Sequence, residues 1–398
     1  MTTSRARGQR SSALSITAII VALLVGGAIG AFVTRALTHS ATGNGHPTGG
    51  STTTTAVPGT TTSTTPAPTL SVISVAPANG TNGVAANSPV TITFSAALSK
   101  SSPLPTITPT TAGSWHASGA ELTFTPSTDF APLSEVALSV PGGRTGIAGA
   151  LGGQLSQTVT EQFRIANGSV ARLQQLLSLL DYSPLAWKPV GTPVEASDTA
   201  GQLAALYHPP AGRYSWRNRG WPALLRAKFQ PGVDSVFTQG LIMSFQADHG
   251  LIPNGRVDAA LWTALLGAYA ANSRNEGGYN FALANKATPE SLTIFHDGRV
   301  VLRSPANTGI AGSPTADGTF PVFTRLRQQV MKGTNPNGSR YADLVQYIAY
   351  FNGNDAVHYM DRADYGIPQS LGCVELPLTD AARAWPYLAY GTLVMVIH

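Results

Sequence analysis

Short runs of alternating apolar and polar residues fill positions 70–167 and return over 278–398, while a helical period occupies the stretch between. In the first segment LSVISV, PVTITFS, ELTFTP, VALSVPG and TEQFRI stand between turn signals and predict an all-β domain. Over 168–272, Val170, Leu173, Leu176, Leu177 and Leu180 fall at i, i+3, i+4 spacing and form one apolar helix face. A second helix, capped by Thr238, carries Leu241, Ile242 and Phe245 and stops at Gly250. After an Asn254-Gly255 turn, Asp258 opens a third helix with Leu261, Trp262 and Leu265. In the last segment SLTIFHDGRVVLRSP predicts a hairpin turning on Asp297-Gly298. LVQYIAYF and TLVMVIH predict strands, and DAARAWPYL a short helix. The stretch 325–340, with Gly333, Pro336 and Gly338, reads as a mobile loop and a candidate lid.

The N-terminal pattern differs in kind. Residues 13–34 run for 22 positions without a charge, long enough for a spanning helix of about 20 residues. Arg5, Arg7 and Arg10 precede it, which predicts residues 1–12 as a cytoplasmic tail and everything beyond the helix as extracytoplasmic. A cleaved signal peptide is the alternative, although its apolar region is normally about 7–15 residues. Residues 35–69 form a Ser/Thr/Pro-rich linker, too polar to order itself, that at about 3 Å per residue holds the domains tens of Å from the membrane. The expected fold class is therefore multidomain and mainly β. It comprises a transmembrane helix, a β-sandwich over 70–167, a small helical domain over 168–272 and a β-rich domain over 278–398.

Charged residues make up only 11 % of the chain and the net charge is +5, with no Lys/Arg stripe. Nucleic acid is thereby excluded as a partner, whereas an anionic membrane or an acidic wall fits. No CxxC, HExxH or carboxylate cluster is present, so neither a metal nor a cofactor is expected. The 398 residues contain one cysteine, Cys373, in PQSLGCVELP. Outside the cytoplasm structural cysteines are normally paired, and this one has no partner within the chain. It is a small buried hydrophobe, half of an intermolecular disulfide, or a working thiol. A working thiol needs a base, and His358 ends a strand-like run 15 residues upstream, joined to the cysteine by a turn-rich loop. Gly372 allows a sharp bend that aims the Gly372 and Cys373 amides at an oxyanion. Ser370 is placed to orient the imidazole or to contact substrate.

The segment VHYM…YGIPQSLGCVELP, preceded by NTGIAGSPTADGTFPVF, resembles the L,D-transpeptidase catalytic domain of the YkuD type. His358, Ser370, Gly372 and Cys373 fall on that family's motif, and Thr308, Gly309, Pro314, Thr315, Gly318 and Phe320 on its upstream signature. Leu371 replaces the motif histidine, Glu375 stands where Arg or Asn is usual, and Tyr359 follows His358 where Gly is common. VAPANGTNGVAANSPVTITFS resembles the start of bacterial Ig-like domains. Leu173-Gln174, Tyr182, Phe245-Gln246, Gly250-Leu251, Gly255, Trp262 and Leu265 resemble a three-helix peptidoglycan-binding domain, interrupted by an insertion over 184–232.

The resemblance implies Cys373 as nucleophile, His358 as general base and acid, and Gly372 as an oxyanion amide. Tyr365, Glu375, Phe245 and Trp262 are the candidate substrate contacts, with Glu375 suited to a cationic group. The implied reaction is acyl transfer between peptidoglycan stem peptides through a thioester, giving 3→3 links, and the implied inhibitors are carbapenem-type β-lactams. A catalytically inactive wall-binding protein and a sortase-like transpeptidase are the alternatives. Sortases need a downstream strand arginine, and the later Arg383 lies in a predicted helix.

Overall fold

A computed structural model describes residues 69–398. The predicted membrane helix over 13–34 lies outside the described residues. Among those described, no helix is long and apolar enough to cross a membrane.

The first domain is a sandwich of β1 (Val72–Ala76), β2 (Val90–Phe94), β3 (Thr106–Thr108), β4 (Gly113–Ser118), β5 (Glu121–Pro126), β6 (Glu135–Val140) and β7 (Val159–Arg164). Four strands in the order β1-β2-β5-β4 face three in the order β3-β6-β7. The alternation in VTITF and EVALSV sends Val90, Ile92 and Phe94 of one sheet against Val136, Leu138 and Val140 of the other.

The helical segment contains α1 (Val170–Leu179), β8 (Leu185–Pro189), α2 (Thr199–Tyr207), β9 (Gly212–Trp216), α3 (Ala223–Arg226), α4 (Val236–Asp248) and α5 (Ala259–Ala270). Asp258 caps α5 as predicted, accepting from the Leu261 amide at 2.8 Å. The cap of α4 is Ser235 rather than Thr238. Thr238 lies inside that helix, buried, and accepts a hydrogen bond from Gln174 Nε2 at 2.9 Å. The insertion folds as the β8–β9 antiparallel pair flanking α2.

The last domain holds β10 (Asn280–Asn285), β11 (Ser291–His296), β12 (Arg299–Pro305), β13 (Gly318–Pro321), β14 (Thr324–Thr334), β15 (Arg340–Asn352), β16 (Asp355–Tyr359), β17 (Val374–Leu376), α6 (Leu378–Ala384) and β18 (Leu393–Ile397). One sheet runs β12-β11-β10-β18-β13 and the other β14-β15-β16-β17. Between them pack Ala282, Ile294, Val394, Ala349, Val357 and Val374. The outer face of the first sheet is also covered: Phe281, Leu393 and Met395 join the core of the helical segment. Burial on both faces explains why β18 reads as the unbroken apolar run LVMVI. Gly391 (φ +79°) lets the turn before β18 meet α4, because a Cβ there would strike the Gly240 carbonyl.

Residues 325–340 correct the expectation of a mobile loop. They form most of β14 and the turn into β15, paired in register from Thr324↔Tyr350 to Thr334↔Arg340. Glycine, proline and charge concealed the hairpin because its strands project beyond the core, where exposed polar side chains are tolerated. Where β15 leaves its pairing with β16, a bulge carries Tyr347 at φ +58°. Such a bulge bends the strand, and the hairpin overhangs a cavity on this sheet.

Candidate active site

β16 and β17 run side by side in parallel, with Val357 opposite Val374, His358 opposite Glu375 and Tyr359 opposite Leu376. Alternation along a strand puts Cys373 on the same face as Glu375, and hence on the same face as His358. That face looks into a cavity of about 710 Å³ lined by His358, Cys373, Glu375 and Leu371, with Met331 and Tyr341 of the hairpin above. Strand register thus brings the thiol and the imidazole to the wall of one cavity, although 15 residues separate them in sequence.

His358 is buried, and its Nδ1 lies 2.9 Å from the Tyr359 carbonyl. A carbonyl only accepts, so Nδ1 carries the proton and Nε2 keeps its lone pair. Burial lowers the imidazole's pKa from its usual 6.5, more than the Tyr359 carbonyl and Glu375 raise it. Cys373 is half-buried and its Sγ donates weakly to the Asn354 carbonyl at 3.8 Å. Burial pushes the thiol up to about 12, and the carboxylates of Asp355 and Glu375 add to the rise, while the Ala356 amide opposes it. The resting pair is therefore neutral thiol and neutral imidazole. Burial opposes both charged forms, so the neutral pair is favoured at rest over a thiolate–imidazolium pair.

The cysteine loop is gripped by the segment after β12. Asn307 pairs with Glu375 through both backbone groups, and its side-chain oxygen accepts from the Gly366 amide at 3.0 Å. The Thr308 carbonyl accepts from the Gln369 and Ser370 amides, and the Ile310 amide donates to Ser370. Thr308 is itself held by buried Glu290, which accepts from its amide at 2.5 Å and from its hydroxyl at 2.7 Å.

Residues 280–396 match the L,D-transpeptidase catalytic domain (YkuD), and residues 51–164 match a bacterial Ig-like domain. The C-terminal domain belongs to the YkuD family of L,D-transpeptidases. No curated protein matches the chain. Among solved structures, an L,D-transpeptidase from Mycobacterium smegmatis is 15 % identical, covering 83 % of this chain and 99 % of its own, with a TM-score of 0.28. L,D-transpeptidase 3 from Mycobacterium tuberculosis is 14 % identical, covering 82 % and 98 %, with a TM-score of 0.28. The catalytic domain of an E. faecium L,D-transpeptidase, acylated by ertapenem, is 24 % identical, covering 30 % and 98 %, with a TM-score of 0.27.

Within this L,D-transpeptidase domain several expected site residues stand elsewhere than the sequence suggested. Ser370 is buried, donates to the Cys373 carbonyl at 2.6 Å and accepts from the Gly372 amide at 3.2 Å. It closes the cysteine loop on itself, and the imidazole is oriented by a backbone carbonyl instead. The same bond engages the Gly372 amide, which corrects its assignment as an oxyanion donor. Gly372 matters for its backbone: φ is +120° and a Cβ would collide with the Asp355 carboxylate. Glu375 is buried and doubly bonded by Arg362, Nε to Oε2 at 2.8 Å and Nη2 to Oε1 at 2.7 Å. The cation it binds is the chain's own. Tyr365 donates its hydroxyl to the Met360 carbonyl and is not among the residues lining the cavity.

Phe245 and Trp262 are 0 % and 2 % exposed, inside the core that joins the helices to β10 and β18. No ligand reaches them there, and Trp262 Nε1 donates to Asn167 at 2.8 Å. Their helical spacing marked them as core residues, and only the resemblance suggested binding. Arg362, Glu290 and Asn307 were missed. Arg362 and Glu290 bear charge without a motif, so their partners are visible only once the chain is folded.

Proposed function

We propose that the chain is an exported, membrane-anchored transpeptidase that forms 3→3 cross-links between peptidoglycan stem peptides through a Cys373 thioester. The observation that carries this reading is the placement of His358 on β16 and of Cys373 immediately before the adjacent parallel β17, both lining one cavity, with the imidazole fixed through Nδ1 and its Nε2 lone pair available. The uncharged run over 13–34 supports the anchor and the extracytoplasmic location of the catalytic domain.

Cys373 Sγ attacks the carbonyl of the third residue of a donor tetrapeptide while its proton passes to His358 Nε2. Because burial disfavours both the thiolate and the imidazolium, this transfer is concerted with C–S bond formation. The Cys373 amide faces the oxyanion. The C–N bond to the terminal D-residue breaks, and His358 returns the proton to the departing amine. A side-chain amine of a second stem then attacks the thioester, giving up a proton to His358, and the proton reaches the leaving sulfur. The β14–β15 hairpin over the cavity favours the amine by limiting water. Carbapenem-type β-lactams acylate the same thiol.

Incubation of the protein with disaccharide-tetrapeptide is expected to yield cross-linked dimers and a released D-amino acid. Cys373→Ala is expected to yield neither, and normal activity in that variant would remove the cysteine as nucleophile.

A further inference from the structure

The acceptor in the proposed reaction approaches as a primary ammonium, so the cavity needs an anion where that group enters. Glu375 does not meet the need, because Arg362 occupies both of its oxygens. A different carboxylate lines the cavity: Asp343, on β15 of the overhanging hairpin. It stands opposite Met331, and its strand neighbours on the same face are Tyr341 and Val345, all of which line the cavity as well. The face is fixed by register. Gln329↔Val345, Met331↔Asp343 and Gly333↔Tyr341 form the cavity side of the hairpin, while Val330↔Leu344 forms the outer side, with both residues exposed. The Tyr341 ring packs directly on Gly333, where a Cβ would strike it. Among the described residues Asp343 makes no ion pair or side-chain hydrogen bond. Of the two cations lining the cavity, Arg362 feels its field but spends its fork on Glu375, and Lys332 forms no ion pair with it. A half-buried carboxylate left unpaired on the wall of a reaction cavity is a ready partner for an incoming cation.

We infer that Asp343 is the acceptor-binding residue, which selects a side-chain primary amine of the second stem over neutral nucleophiles. The inference rests on the acyl-transfer reading of Cys373. Asp343 accepts hydrogen bonds from the ammonium and holds it beside the thioester. One proton leaves the ammonium to water, and the neutral nitrogen attacks the thioester carbonyl. The new C–N bond forms as the C–S bond breaks, and His358 carries the second proton to sulfur. Asp343 takes no part in forming the thioester. Its place on the hairpin rather than on β16 or β17 separates acceptor recognition from acylation.

The test uses the full chain and Asp343→Asn, a substitution that keeps shape and removes charge. Each is acylated with a tetrapeptide donor and then offered either a stem peptide with a free side-chain amine or hydroxylamine, which is uncharged at neutral pH. The expected result for Asp343→Asn is a KM for the amine peptide raised about tenfold, equivalent to about 1.4 kcal/mol. Interception by hydroxylamine and the acylation rate should stay within twofold of wild type. An unchanged KM for the amine peptide, with normal acylation, overturns the inference alone. An equal loss with both nucleophiles also overturns it, since that marks a structural role. Failure of the wild-type protein to acylate overturns the acyl-transfer reading and this inference with it.

Discussion

His358 on β16 and Cys373, the residue just before β17, are diagonal neighbours: the histidine stands opposite Glu375, two residues beyond the cysteine, and both side chains line one cavity. Burial moves the two groups in opposite directions, the thiol up to about 12 and the imidazole below 6.5. Acylation then requires neutral His358 and an intact thiol. The rate of acylation by a carbapenem should rise as pH increases through a midpoint below 6.5. It should stay flat across pH 8.5, where an ordinary cysteine ionises. Single-turnover labelling from pH 4.5 to 10 measures this, and a second rise near 8.5 would show that the free thiolate is the nucleophile. His358→Ala should lower the plateau by about 10²–10⁴-fold, with the far-ultraviolet circular dichroism unchanged.

Gly372 is held by two constraints at once, a backbone at φ +120° and the Asp355 carboxylate where a Cβ would go. Gly372→Ala should lose about 1–3 kcal/mol from backbone strain, with the collision in addition. The cysteine loop should shift and acylation should fall with it. Adding Asp355→Ala relieves the collision and leaves the strain. The double variant should therefore recover part of the lost stability in urea titrations; full recovery would show that φ is unimportant here.

Strand alternation made both β domains legible, because β2, β6 and β11 each bury one face. That Cys373 and His358 share a cavity was legible from a lone cysteine and a histidine near a strand end. The wiring between them was not. Ser370 reads in sequence as a partner for the imidazole, yet a carbonyl one residue from His358 does that work, and no side-chain pattern encodes it. Arg362 and Glu375 lie 13 residues apart across an irregular loop, so their pairing follows from the loop's path. The hairpin was read as a loop because its strands need no buried alternating face. Phe245 and Trp262 show the reverse failing, where a periodicity that marked core was overridden by a family likeness.

Those two aromatics yield a stability prediction. Phe245 stacks on His249 with ring centroids 4.0 Å apart and meets Tyr182 edge-on at 5.1 Å. Trp262 is packed against Gly168, which has no room for a side chain. Phe245→Ala and Trp262→Ala should each destabilise the protein by about 3–5 kcal/mol. Because the same core includes Phe281, Leu393 and Met395, the loss should reach the catalytic domain and appear as a lower midpoint for losing carbapenem labelling. A variant that keeps its stability but loses affinity for purified wall would restore these residues as ligand contacts.

The Arg362–Glu375 pair offers the sharpest separation of charge from shape. Glu375 is 4 % exposed, and its bidentate partner reaches in from the loop after β16. Removing only the arginine strands a buried carboxylate, so Arg362→Ala should cost about 3–5 kcal/mol. Arg362→Lys should recover little, since an ammonium supplies a point charge and not a planar fork. Replacing both with apolar residues of similar volume, Arg362→Met with Glu375→Leu, removes the desolvation burden along with the attraction. That double variant should lie within about 1–2 kcal/mol of wild type. Urea unfolding of wild type, Arg362→Met, Glu375→Leu and the double variant gives the coupling between the two residues. If the arginine variant alone is as stable as the double variant, Glu375 is not held as a buried anion, and it becomes available to bind the cationic group that Asp343 is otherwise inferred to take.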